Sequence, residues 1–275
     1  HLSGNSISDI SALRGLTNLT ELNLSGNKII SDISALRSLT NLQTLHLSGN
    51  SISDISALRG LTNLTELDWS YNKNISIGAL ANLTNLQTLN LSGNGIIYIG
   101  ALASLTNLQT LHLSGNSISD ISALRGLTNL TELDWSYNKN ISIGALANLT
   151  NLQTLNLSGN NISDISALRG LTNLTELDWS YNKNISIGAL ANLTNLQTLN
   201  LSGNSISDIG ALRSLTNLQT LYLSNNNISD VSPLENLSEL RWLDLSKNPL
   251  KEQQVAELRQ KLPQAQICCQ NILSE

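Results

Sequence analysis

Apolar residues recur along this chain in two alternating spacings. In Leu42-Gln43-Thr44-Leu45-His46-Leu47-Ser48-Gly49-Asn50 the middle of the segment alternates apolar and polar, which predicts a short strand. In the residues that follow, Ile52, Ile55, Leu58 and Leu61 fall about three apart, which predicts a tight turn of 3-10 type. The two spacings together form a unit that is marked by Asn5, Asn27, Asn50, Asn72, Asn94, Asn116, Asn138, Asn160, Asn182, Asn204, Asn226 and Asn248. These recur every 22 residues, with one step of 23 between Asn27 and Asn50. There Lys28-Ile29-Ile30-Ser31-Asp32 holds one residue more than Ser6-Ile7-Ser8-Asp9, so one loop is expected to bulge.

A single unit cannot cover its own inward Leu and Ile, so the units are expected to stack as coils. Some seven aliphatic side chains per coil, at about 1.5 to 3 kcal/mol each when buried, offset much of the ordering entropy of about 1 to 2 kcal/mol per residue. The repeated Asn meets a separate need. Where the chain turns inside the stack, its backbone groups lose water, and an amide with both donor and acceptor can serve its own coil and the next. An Asn ladder along one edge is the expectation.

The motif L-x-x-L-x-L-x-x-N, with Ile-Ser-Asp-Ile-Ser-Ala-Leu after it, resembles the leucine-rich repeat family and its internalin-like, 22-residue bacterial subclass. The resemblance covers residues 1–250, about eleven coils. It implies an α/β fold: a right-handed curved solenoid with a parallel sheet on the concave side and short 3-10 or helical segments on the convex side. It also implies recognition of a protein partner on the concave face, and a place at the cell surface or outside the cell; composition leaves the cytoplasm open as well.

The two ends read differently. His1 matches the mid-strand positions of His46 and His112, so the chain opens inside a coil. That coil is expected to expose Leu2, Ile7 and Ile10 beside an open strand edge, which suits a piece of a longer array or self-association with another copy. Residues 251–275 read as a helical cap and tail. Lys251 to Lys261 forms the helix, with Val255, Leu258 and Leu262 on one side, Pro263 closing it and Ile267 adding an edge strand.

Composition then removes several functions. Fifteen Lys and Arg against twenty Asp and Glu give a net charge of −5, so no basic stripe for nucleic acid is expected. Hydrophobic residues make up 40% of the chain, yet it has no Phe, no Met, four Trp and five Tyr, too few aromatics for a rounded core of this length. The longest apolar run, Ile96 to Ala103, is far short of a membrane span of about 20 residues. Cys268 and Cys269 are neighbours and cannot staple distant parts of the fold.

Candidate recognition residues follow from strand register, which turns the third and fifth residues of L-x-x-L-x-L outward. Neighbouring strands then set Glu66 and Asp68 beside His46, and Glu132 and Asp134 beside His112; Glu176 and Asp178 repeat the acidic pair. Two carboxylates and an imidazole are usable metal ligands, but nothing completes a shell, so ion pairs or hydrogen bonds are expected, with no metal and no cofactor. A flat outward surface offers no catalytic pocket either. Tyr222 and Trp242, also outward, stand next to Arg241 and Asp244 in the residue mix typical of binding hot spots.

The segment Asp-Trp-Ser-Tyr places Trp69, Trp135 and Trp179 where other coils have an inward Leu. There the Ile moves on one place to Ile75, Ile141 and Ile185, leaving Asn74, Asn140 and Asn184 at its usual site, and the indole is expected to fill the vacated volume. Triplets such as Asn18-Leu19-Thr20 and Asn63-Leu64-Thr65 read as wording of the repeat. Residues 60–94, 126–160 and 170–204 are identical, so any recognition is periodic or concentrated in the atypical C-terminal coils.

A non-catalytic module binding a protein partner through the concave face fits these features. A structural or self-assembling scaffold, natural or engineered, is the alternative. A repeating ligand such as a glycan or ice on the regular Thr positions is opposed by the intervening Glu residues and by strand curvature.

Overall fold

The computed structural model describes residues 1–73, 75–139, 141–182 and 185–270. Two compact units result, His1–Lys139 and Asn140–Glu275. The first holds six short strands, β1 (Glu21–Asn23), β2 (Thr44–His46), β3 (Glu66–Asp68), β4 (Thr88–Asn90), β5 (Thr110–His112) and β6 (Glu132–Asp134). The second holds β7 (Thr154–Asn156), β8 (Glu176–Asp178), β9 (Thr198–Asn200), β10 (Thr220–Tyr222), β11 (Trp242–Asp244), the helix α1 (Glu252–Lys261) and β12 (Gln266–Cys268).

Within each unit consecutive strands pair in parallel with no slip. Leu45 stands level with Leu67 and Leu67 with Leu89, as Leu199 does with Leu221 and Leu221 with Leu243. Alternation sends these leucines inward, and all of them are fully buried. The turn after each strand is built by the period of three. Leu58 donates its N–H to the carbonyl of Ile55 at 3.0 Å, Leu61 to Leu58 at 2.9 Å and Leu64 to Leu61 at 3.1 Å. Each residue that buries its side chain is thus also a donor to its apolar predecessor, and one spacing satisfies both packing and backbone.

The asparagines form the expected ladder with a difference in direction. Asn27 donates from Nδ2 to Leu24 O at 2.8 Å in its own coil and to Leu2 O at 3.0 Å in the preceding one. Its Oδ1 accepts from the backbone N–H groups of Asn5 at 2.9 Å and Ile7 at 3.0 Å. The amide reaches back to the coil before it, not forward, because the preceding coil's turn presents both its free carbonyl and its N–H groups to that side. Asn116, Asn204 and Asn226 repeat the scheme.

The 23-residue step bulges as expected and breaks this pattern once. Ile29 is 53% exposed and its N–H bonds back to Asn27 O at 2.8 Å. Lys28 N–H bonds to Gly49 O at 3.1 Å, and Asn50 Oδ1 is buried with no hydrogen-bond partner among the described residues.

Trp69, Trp135 and Trp179 are buried in the stack. Ile77, Ile143 and Ile187 anchor the turns of these coils, while the displaced Ile75 and Ile141 are half-buried and Ile185 is buried. Asn74, Asn140 and Asn184 lie outside the described residues. At the first coil Leu2 and Ile7 are half-buried, and Ile10, expected to be exposed with them, is buried. Leu16 is the large apolar residue most exposed in that coil.

In the second unit α1 buries Val255 and Leu258 on the last coil, with Leu262 buried where the helix ends before Pro263. Gln254 Oε1 accepts the Lys251 N–H at 3.0 Å and closes its first turn. Ile267 sits level with Leu243 on β12, which pairs in parallel with β11.

Candidate functional site

The outward strand face presents two columns of side chains, and the structure separates their duties. The fifth-position Asp and Asn residues are tied to their own backbone: the Oδ1 of Asp68 accepts the N–H of Ser70 at 3.0 Å and its hydroxyl at 2.7 Å. Asp134 takes Ser136 N–H at 2.9 Å, Asp178 takes Ser180 N–H at 2.8 Å, and Asp244 takes Ser246 N–H at 2.9 Å. These carboxylates hold the exit of the strand and keep one oxygen for other work.

The imidazoles take up the third-position carboxylates. His46 Nε2 lies 2.7 Å from Glu66 Oε1, and His112 Nε2 lies 2.7 Å from Glu132 Oε1. His46 stands level with Asp68, and His112 with Asp134. The two clusters are therefore the predicted ones, each with one His–Glu pair and one Asp bound to the turn. Among the described residues no three His, Cys, Asp or Glu side chains converge as a metal ion would require. Glu176 is exposed and Asp178 accepts from Asn200 Nδ2 at 3.1 Å.

On β10 and β11 Tyr222 stands level with Asp244, and Trp242 lies between Thr220 and Gln266. Both aromatics are half-buried, and the Trp242 Nε1 is covered without a partner among the described residues. Arg241 turns to the strand entrance, where Nη1 donates to Ser238 O at 3.2 Å and Nη2 lies 3.5 Å from Glu239 Oε2. Sequence neighbours thus divide: the aromatics face outward and the guanidinium occupies the rim.

Sequence reasoning missed three sets of polar side chains. Asn41, Asn63, Asn85, Asn107 and Asn129 in the first unit donate from Nδ2 at 2.8 Å to Thr17, Thr40, Thr62, Thr84 and Thr106 carbonyls, a second amide ladder inside what reads as repeat wording. Asp9, Asp32, Asp54, Asp120, Asp164 and Asp230 sit before the 3-10 turns and accept the N–H of the Ser two residues on. That backbone donor first, and the serine hydroxyl second, hold these carboxyls below their ordinary pKa. Finally, Tyr71, Tyr137 and Tyr181 occupy the left-handed site that seven other coils fill with Gly and the last two with Asn225 and Lys247, and they stand out from the loop edge. The signal for them is a Tyr in place of the Gly of Ser-Gly-Asn.

Open grooves lie on the turn side. In the first unit one of about 450 Å³ is walled by Ile75, Ile77, Ile97 and Tyr98. In the second, grooves of about 470 and 410 Å³ carry Asp164 and Asp208 at the place of Tyr98.

The family profile described as Leucine Rich repeats (2 copies) matches residues 1–38, 40–82, 84–126, 106–148, 150–193 and 194–236. The chain belongs to the leucine-rich repeat family. No curated protein matches this leucine-rich repeat chain in sequence comparison. Among solved structures it is similar to an internalin, InlF, from Listeria monocytogenes, with 35% identity, a TM-score of 0.80 and 95% of this chain and 84% of that one covered. Internalin C2 of the same organism is 34% identical over 69% of this chain and 83% of its own, with a TM-score of 0.65. The mouse RP105/MD-1 complex supplies a chain 28% identical, with a TM-score of 0.78, covering 94% of this chain and 47% of that one. The repeat is internalin-like, and no helix among the described residues is long and apolar enough to cross a membrane.

Proposed function

We propose that this leucine-rich repeat chain is a non-catalytic module that takes a protein partner on its outward strand face. The observation that carries the reading is the placement of Tyr222, Trp242 and Asp244 side by side on paired strands, on a backbone whose register holds them fixed. Aromatic side chains held this way lose little entropy on binding, and they dominate interface energies where they occur. A chain of the mouse RP105/MD-1 complex is similar to this one, so a partner protein is in keeping with the fold. The clusters at His46, Glu66 and Asp68 and at His112, Glu132 and Asp134, with Glu176 and Asp178, would supply polar rim contacts.

Photo-crosslinking tests the reading. With p-benzoylphenylalanine replacing Thr220 on the strand face, adducts from a cell-surface protein extract are expected, and they should vanish when Trp242→Ala is added. Equal adducts from a probe at Arg213 on the turn side would overturn it.

The identity of residues 60–94, 126–160 and 170–204 favours a second reading, a repeating scaffold that associates with itself. Light scattering that rises with concentration would support that reading.

A further inference from the structure

The loop that leaves each strand, read as Ser-x-Asn-x from residues 3–6 to 246–249, contains five lysines and no Asp or Glu, in a chain of net charge −5. Lys28, Lys73, Lys139 and Lys247 on this edge are exposed. The nearest carboxylate to Tyr71 in sequence, Asp68, is held on the strand face by the N–H and hydroxyl of Ser70. Out of this edge rise three tyrosines.

Tyr71, Tyr137 and Tyr181 take φ values of 53°, 53° and 54°, in the left-handed region where Gly49, Gly93 and Gly115 sit at 64°, 69° and 64°. A bulky side chain pays for that backbone and glycine does not. The three residues are 67%, 61% and 59% exposed, so core packing does not offset the cost. Two of them are nonetheless held in place. The ring of Tyr71 lies on Gly93, and that of Tyr181 on Gly203, so closely that a Cβ there would come within 2.6 and 2.7 Å of ring carbon. Backbone bonds fix the base of each, from Tyr71 N–H to Ser92 O and from Tyr181 N–H to Ser202 O, both 2.8 Å. The result is an aromatic plate with one face packed on a glycine and much of the ring in solvent. In the first unit each plate has a lysine two residues on, Lys73 and Lys139.

We infer that this edge of the first unit binds an acidic polysaccharide, with a pyranose ring stacked on Tyr71 and on Tyr137 and carboxylates of the glycan paired with Lys73 and Lys139, while Tyr181 offers a plate of the same kind in the second unit. A sugar ring presents a flat face of C–H bonds to an aromatic plate, and uronate groups suit loops that carry lysine and no Asp or Glu. Tyr71 and Tyr137 follow β3 and β6, three strand spacings or about 14 Å apart, a span a short run of linked sugars can bridge. Repetition decides between glycan and acidic peptide: identical plates suit a polymer that presents the same group again and again. The site is separate from the strand face proposed above for a protein partner.

Affinity electrophoresis of the whole chain tests this, in native gels containing polygalacturonate, with dextran and poly-L-glutamate gels in parallel. Retardation is expected in polygalacturonate alone. Because Gly is the residue other coils use, the combined Tyr71→Gly, Tyr137→Gly and Tyr181→Gly variant should fold, with its thermal midpoint unchanged or raised, and lose about tenfold in affinity. Lys73→Gln with Lys139→Gln should weaken retardation, and Trp242→Ala with Tyr222→Ala should leave it intact. Absence of retardation in the parent chain, equal retardation in poly-L-glutamate, an unaffected tyrosine variant, or loss through the strand-face variant would each overturn the inference.

Discussion

Two asparagines of the ladder differ in one respect, which makes them a matched pair for mutation. Asn50 and Asn116 are each 8% exposed and both donate to two nearby leucine carbonyls, Asn50 to Leu24 and Leu47 at 3.0 Å each, Asn116 to Leu91 at 3.0 Å and Leu113 at 2.9 Å. Asn116 Oδ1 also accepts from Asn94 N–H at 3.2 Å and Ile96 N–H at 2.9 Å, whereas Asn50 Oδ1 accepts nothing among the described residues. Asn116→Ala removes these four bonds and a longer one to Ser114 O at 3.4 Å and strands buried backbone groups, so a loss of about 4 to 6 kcal/mol is expected. Asn50→Ala removes the two bonds to leucine carbonyls and a longer one to Ser48 O at 3.4 Å, about 3 kcal/mol in all, but also a buried acceptor that already costs about 1 to 3 kcal/mol, leaving a net loss of about 1 kcal/mol. The difference of about 3 kcal/mol corresponds to about 1 M in urea midpoint at a slope of about 3 kcal/mol/M. Urea titration followed by circular dichroism reads it. Equal losses at the two sites would show that the acceptor half of the amide contributes nothing, and the ladder argument would fail.

Trp69 is buried and its Nε1 lacks a partner among the described residues, so Trp69→Phe keeps most of the ring, removes the stranded donor and should cost less than about 1 kcal/mol; Trp69→Leu should cost about 2 to 3 kcal/mol through the cavity it leaves, both read from thermal melts. The turn aspartates have folded pKa values below the ordinary 3.8, so the stability they add is complete above that value and is lost as the pH falls through the depressed one. Asp54→Asn with Asp120→Asn keeps the acceptor without titrating, and acid melts below about pH 4 should lose stability less steeply than the parent. Glu66→Gln should change stability by less than about 1 kcal/mol, since His46 and Glu66 are partly exposed and such pairs are weak; a larger loss in chemical denaturation would contradict that.

The sequence period reveals directions of side chains, and whatever depends on direction alone was legible. The inward leucines, the buried indoles, the His46–Glu66 and His112–Glu132 neighbours and the bulge after Asn27 all follow from counting residues. Partners of polar groups do not follow from counting. That Asn27 reaches back to Leu2, that Asn63 bonds to Thr40 and that Asp54 accepts from Ser56 depend on where carbonyls and N–H groups fall after the chain has turned. Ile10 was misjudged for a related reason, since one neighbouring coil is enough to bury it. Tyr71 escaped notice because its peculiarity lies in φ, which only the Gly at matching positions hints at.

The backward reach of each amide gives the chain an arrow. A coil satisfies only part of its own turn; the N–H groups of that turn find their acceptor in the amide of the coil made after it. Erosion from the C-terminal side therefore uncaps what remains, whereas erosion from the N-terminal side leaves every surviving turn provided for. The same arrow lets identical blocks stand two and three coils apart without repair elsewhere, since a block placed in whole turns brings its own closure and restores that of its predecessor.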